Sequence, residues 1–379
     1  MPPAAMPPVT KTVRDLRLDF FRGLSLWFIF LDHVPSNTVS WISISNFGFS
    51  DAAEIFVFIS GYTAAFVYGR VMLENGFAVG SARILRRAWQ LYVAFVFLSV
   101  IYIAEIAYVA GRFDNPLFVE EMNVLHFLQR PEVVLLEVLR LRFLVANVDV
   151  LPIYIVLMLA FPLILWLLLR SPYVALAASF ALYLAAKWWD WNLTVYPVGQ
   201  EWFFNPFTWQ FLFVIGAWCA VGNAKWLPAF CRSNLAAVIC LIYLSFALWL
   251  ATTHLYPAIT PHLPSWLLIF PLDKTGLSPL RLIHFLALAI LVVRFVPPEA
   301  GFLRSAWAKP LILCGEHSLE IFCLGVFLSF TAHFVLVEIS ARVWMQVAVS
   351  LAGVALMVAL AGLMTWYKDL DRRARQPAA

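Results

Sequence analysis

The stretch "LDFFRGLSLWFIFLDHVP", residues Leu18–Pro35, is apolar for most of its length yet carries Asp19, Arg22, Asp32 and His33. A charged side chain inside a bilayer costs about 2.5–3.5 kcal/mol on insertion scales. Charges kept in such a stretch therefore need partners or a use. The surrounding chain shows that a bilayer is the right solvent to consider. Of 379 residues, 63% are hydrophobic and only 13% charged, with a mean hydropathy of +0.84. Soluble domains carry about 25% charged residues, so the composition is that of an all-α polytopic membrane protein. Sixteen Trp and 33 Phe fit aromatic belts at the two interfaces.

Windows of about 20 mostly apolar residues predict about ten transmembrane helices, near 18–34, 52–70, 88–110, 148–169, 173–189, 207–223, 235–253, 280–296, 310–337 and 343–367. The segment 131–146 has apolar residues at helical spacing but also Glu132, Glu137, Arg140 and Arg142, and is predicted to be an interfacial amphipathic helix. Most of the 26 Lys and Arg then fall on one side, which makes both termini cytosolic by the positive-inside rule. The organisation expected is a cytosolic tail over 1–17, a membrane domain over 18–367 and a basic cytosolic tail over 368–379. The long loops near 111–130, 190–206 and 254–279 then face outward, and their Trp, Tyr, Pro, Asn and His suit either a sugar-facing surface or an interfacial belt. The five cysteines show no CxxC spacing and read as small core residues. No metal is predicted, since neither HExxH nor a similar spacing occurs, and no basic run with interleaved aromatics points to nucleic acid. Nor is there an internal repeat of the kind secondary transporters show.

On a helix, residues 19, 22, 26, 29, 30 and 33 share one face, so Asp19, Arg22 and His33 form a polar stripe. Arg22 and His33 are three turns apart, about 16 Å. Asp32 points about 100° away from His33, so an acid that orients this imidazole is expected on another helix. Glu54, deep in "GFSDAAEIFVFISGY", is the candidate, with Asp51 a helix-start residue ahead of it. Histidine exchanges protons near neutral pH, and within a span a functional role is the default. In "SARILRRAWQLY", Arg83 and Arg86 lie on one face. They serve either as positive-inside anchors or as a grip on a phosphorylated ligand, where the planar guanidinium excels. Asn205, Trp209, Gln210, Arg281 and His284 are expected at the outer ends of spans. Glu316 and Glu320, flanking His317, are four apart and expected on one face of the ninth span.

"RLDFFRGLSLWFIFLDH" resembles the opening of membrane O-acyltransferases of the acyltransferase type 3 superfamily, with Arg17, Asp19 and Arg22 leading to His33, though the Asp-to-Arg spacing is tighter than usual. "GFSDAAEIFVFISGY" resembles that superfamily's second segment, with Glu54 in place of the usual Asp and with Ser60, Gly61 and Tyr62 matching. "RILR" resembles its R-x-x-R. Within it, "RLDFFRG", "NFGFSDAAEIFVFISGY", "FNPFTWQ", "LRLIHFLAL" and "SLEIFCLG" are similar, in order, to the OpgC family, succinyltransferases of osmoregulated periplasmic glucans. The resemblance implies a bacterial inner-membrane enzyme with no bound cofactor. It implies acyl-CoA, most naturally succinyl-CoA, as cytosolic co-substrate and a periplasmic glucan as acceptor, with membrane lipids around it. On that footing His33 is the proton acceptor, Glu54 its orienting acid, and Asp19 and Arg22 line the donor's way in. Arg83 and Arg86 hold the donor, and Asp51, Asn205, Trp209, Gln210, Arg281 and His284 serve the acceptor. The rival expectation is a multi-span transporter of a polysaccharide or lipid-linked sugar.

Overall fold

The protein was analysed as a computed structural model, which describes residues 15–197, 199–222, 224–253 and 272–375. The N-terminal tail before Asp15, most of the loop predicted over 254–279 and the last four residues lie outside the described residues. In chain order the helices are α1 (Leu16–Asp32), α2 (Ala52–Phe113), α3 (Leu117–Glu121), α4 (Leu125–Gln129), α5 (Pro131–Leu139), α6 (Val150–Arg170) and α7 (Pro172–Trp189). After a two-residue antiparallel pair, Thr194–Val195 with Gln200–Glu201, come α8 (Pro206–Val221), α9 (Leu227–Arg232), α10 (Asn234–Thr253) and α11 (Pro279–Phe295). The chain closes with α12 (Lys309–Glu316), α13 (Ser318–Glu338) and α14 (Val343–Arg375).

The segments predicted to span fall on helices, the ninth on two. Among the described residues, five helices are long and apolar enough to cross a bilayer: α2, α6, α10, α13 and α14, with mean hydropathies of 2.0 to 2.5, while α8 is apolar but shorter. The 62 residues of α2 are two arms, 52–75 and 77–113, because Gly76 adopts φ 81° and ψ 170° and reverses the chain. Only glycine takes that conformation without strain, and a Cβ on Gly80 would press on Met72 where the arms fold back. On α10, Leu235, Ile239, Ile242 and Phe246 form an outward apolar stripe, 71%, 58%, 65% and 46% exposed. Water would penalise such a face; lipid does not.

Two expectations are corrected. The amphipathic helix over 131–146 stops at Leu139. Leu141 takes φ 60°, Arg142 N–H donates to the Glu137 carbonyl at 2.7 Å and Leu141 N–H to that of Val138 at 3.0 Å. This is a Schellman closure, and Arg140 and Arg142 fold onto the buried Glu137 carboxylate at 3.1 and 3.5 Å. The ninth segment breaks at His317 (φ −112°, ψ 40°), so Glu316 ends α12 while Glu320 lies in the first turn of α13. The i, i+4 geometry expected of the two Glu needs an unbroken helix and is lost. His317 is tied to α14 instead. Lys368 Nζ, which can only donate, meets Nδ1 at 3.3 Å, so Nε2–H donates to Thr365 Oγ1 at 3.0 Å, and that hydroxyl donates to the Ala361 carbonyl at 3.0 Å.

The described chain divides into two compact units. One holds Phe47–Ser50 and Val57–Leu291; the other holds 15–46, Asp51–Phe56 and 292–375. In the second, α1 crosses α12 at a reciprocal pair of glycines. A Cβ on Gly23 would fall onto the Leu311 carbonyl, and one on Gly315 onto the Asp19 carbonyl. In the first, α2 and α8 cross in the same way, with Gly61 on the Phe213 carbonyl and Gly216 on that of Phe58. Small residues let helix backbones approach where lipid removes the usual hydrophobic drive.

Candidate functional site

In the second unit the polar stripe on α1 has its ends at two helix termini. Asp15 caps the start, accepting the Arg17 N–H at 3.0 Å, and Arg17 returns an ion pair at 2.7 Å and donates to the Val296 carbonyl at 2.9 Å. Asp19, 5% exposed, lies where Gly315 presses on its backbone; Arg22 is half-buried. The helix ends at Asp32, and His33 is its C-cap, with N–H donated to the Ile29 carbonyl at 3.0 Å. The predicted span, 18–34, includes His33. The structure sets it at the end of the helix, half-buried, in front of the α1 carbonyls. The Asp32 carboxylate accepts the Ser43 hydroxyl at 2.6 Å.

Asp51 and Glu54 form a reciprocal cap on α2. Asp51 Oδ1 accepts the Ala53 N–H at 2.8 Å, and Glu54 Oε2 accepts the Asp51 N–H at 2.9 Å. The D-x-x-E signature of a capping box was present in the sequence. It gives both carboxylates a local structural task that the reading of Glu54 as an orienting acid did not include. Glu54 is fully buried.

In the first unit His284 is held by Ser50. Ser50 N–H, which can only donate, points at His284 Nδ1 at 3.3 Å, and the Ser50 hydroxyl lies 2.7 Å from the same nitrogen. Nδ1 is therefore the acceptor, and in the neutral ring the proton sits on Nε2. A Cβ on Gly48 would fall onto that Nε2, so glycine there is required by the ring's approach. Phe49 and Tyr243 flank the imidazole at 5.6 and 6.3 Å. Arg281, one turn earlier on α11, is 8% exposed. No sequence pattern linked Ser50 to His284, which is 234 residues away.

Asn205, Trp209 and Gln210 make contacts within the fold. Asn205 caps α8 through Phe207 N–H at 3.0 Å and donates to the Trp191 carbonyl at 2.6 Å. The Trp209 indole donates to the Lys274 and Thr275 carbonyls at 3.0 and 3.1 Å. Gln210 accepts the Ser179 hydroxyl at 2.6 Å and donates to the Ser179 carbonyl at 2.8 Å. All three are buried. Arg83 and Arg86, by contrast, are exposed on the 77–113 arm of α2, and Arg87 reaches the Gln90 carboxamide at 3.4 Å.

The fold and these helix-end clusters define a polytopic, all-helical membrane protein with ionisable groups fixed where its spans begin and end. A model of the family described as OpgC protein matches residues 14–369. The chain belongs to the OpgC family, and membership supports a glucan-modifying, acyltransferase-like role. A search of the curated proteins gave no match, and neither did one of the solved structures.

Proposed function

We propose that this protein is an O-succinyltransferase of the bacterial inner membrane that moves an acyl group from cytosolic succinyl-CoA to hydroxyls of a periplasmic glucan. The family match over nearly the whole chain is the observation that carries the reading. Ten spans with both termini cytosolic are the topology of this reading, supported by the apolar helices and by the weight of Lys and Arg on one side.

His33 is the general base. It takes the proton as the sugar oxygen attacks the thioester carbonyl, the C–S bond breaks, and CoA leaves as the thiolate that recovers a proton. The carbonyl end of α1 favours the positive charge that a proton acceptor gains. Glu54 holds that acceptor in line, and Asp19 and Arg22 border the donor's approach along α1. Arg83 and Arg86 meet the CoA phosphates from the cytosol, for which their exposure suits them. On the acceptor side Asp51, Arg281 and His284 contact the sugar, while Asn205, Trp209 and Gln210 act through the loop and helix contacts they fix. The test is transfer of label from succinyl-CoA to glucan by the purified protein, with the glucan's negative charge measured before and after. Labelled glucan that appears only with the intact protein is the expected result; none would overturn the reading.

A further inference from the structure

The residues that follow His33 are fixed by a helix 308 positions further along the chain. Thr38 N–H and Thr38 Oγ1–H both donate to Gln346 Oε1, each at 2.7 Å, and Gln346 Nε2 donates to the Ala341 carbonyl at 2.8 Å. Beside it, Asn37 Nδ2 donates to Ser350 Oγ at 3.1 Å, while Asn37 Oδ1 accepts the Val39 N–H at 3.1 Å and starts the short helical turn Thr38–Ile42. Asn37, Gln346 and Ser350 are 5%, 7% and 3% exposed, so these are buried polar groups with their bonds made. One helical step on, a Cβ at Gly353 would strike the Phe30 ring.

Residues 346, 350 and 353 occupy one face of α14, at i, i+4 and i+7. Their partners are Thr38, Asn37 and Phe30, which bracket His33 in the chain. The segment between needs such backing. As a C-cap, His33 has no helix beyond it, and Ser36 holds φ 56°, a left-handed conformation unfavourable for a residue with a Cβ. The carboxamide of Gln346 suits its place, because it accepts two donors on one atom and donates from the other. Glutamate cannot donate to Ala341, and leucine can do neither.

We infer that Gln346, supported by Ser350 and Gly353, is a positioning residue that sets the reach of His33 toward the reacting hydroxyl. The inference rests on the reading of His33 as proton acceptor. A group that must meet a proton at hydrogen-bond distance is sensitive to small displacements, and about 1 Å costs on the order of 10²-fold in rate.

The experiment measures kcat and both KM values for the full-length chain carrying Gln346→Leu, Thr38→Val, Thr38→Ser or the Thr38→Val/Gln346→Leu pair, with His33→Ala in parallel. Gln346→Leu should lower kcat by about 10- to 100-fold with both KM values near those of the parent. Thr38→Val should lower it less, and Thr38→Ser, which keeps the hydroxyl, should restore the parental rate. The double variant should be no worse than Gln346→Leu alone, since the hydroxyl bond that Thr38→Val removes is among those already lost with the Gln346 carboxamide. Parental kcat in Gln346→Leu, alongside an inactive His33→Ala, overturns the positioning role. Should Gln346→Leu fail to fold, parental kcat in Thr38→Val does the same. A parental rate in His33→Ala overturns instead the reading beneath it.

Discussion

The two units use one device and put different chemistry beside it. Each is drawn together at a helix crossing where two glycines press reciprocally on the partner's backbone carbonyls: Gly23 and Gly315 in one, Gly61 and Gly216 in the other. In the first unit the carbonyls belong to Phe58 and Phe213, and the neighbourhood is aromatic, with Phe161 and Tyr154 around Phe213. In the second, one carbonyl belongs to Asp19, whose buried carboxylate begins the stripe that ends at His33. Close backbone packing is thus a means of holding helices in lipid that is indifferent to what it holds. Polarity is added where a helix face needs it.

The largest effects should come from breaking the crossings. Gly315→Val and Gly216→Val each push a branched side chain into a backbone that cannot swing aside, beyond the about 1–3 kcal/mol usual for overpacking. Both should abolish the monodisperse folded peak in detergent, whereas Gly111→Ala and Gly362→Ala, with open space around them, should not. A folded Gly216→Val chain would show that the apolar crossing is the looser of the two.

Next comes the contrast between the histidines. His33→Ala should leave folded, inserted protein and cut acyl transfer by about 10²–10⁴-fold, the contribution of a positioned acid or base. His284→Ala should act on stability as well, because it strands the buried Ser50 donors at a cost of about 1–3 kcal/mol. His284→Asn, whose carbonyl can stand in for Nδ1, should recover much of the loss in thermal unfolding. Equal unfolding temperatures for the Ala and Asn variants would refute the Ser50 bond as a structural tie.

Smallest is the donor grip. Arg83→Lys and Arg86→Lys should weaken apparent acyl-CoA affinity by about 1.5–3 kcal/mol each, the range for a hydrogen bond to a charged group. Lysine lacks the planar fork. Arg87→Lys, on a different face, should change nothing. Identical donor-concentration curves for all three would return Arg83 and Arg86 to the role of anchors.

Hydropathy made the helices legible, because a run of about 20 apolar residues has few other fates in lipid. It could not see Gly76 as a reversal inside a continuous helical run, since that depends on one φ angle. Nor could it see the interruption at His317, because the apolar runs Leu311–Cys314 and Ile321–Val326 on either side fall within one long apolar window. Helical geometry sets the angle between Asp32 and His33, whereas the bond from Ser43 to Asp32 is made by the turns after α1 and no periodicity reports it. Asp51 and Glu54 stand out as polar residues in an apolar setting, while their mutual cap follows a short-range D-x-x-E pattern that hydropathy does not report. The partners of His284, Trp209 and Thr38 lie 234, 65 and 308 positions away, and no periodicity reports such pairings.

The 33 residues of α14 amount to a rod of about 50 Å, well beyond the about 30 Å of a bilayer's hydrocarbon. A span held only by its apolar surface tilts or shifts when the membrane thins or thickens. This one is pinned at both ends within its own unit, through Gln346 to the turn after His33 and through Thr365 and Lys368 to His317. Hydrophobic mismatch should therefore deform the surrounding lipid before it slides the rod. The height of the loop behind His33 would then be a property of the protein, the same in a thin membrane as in a thick one.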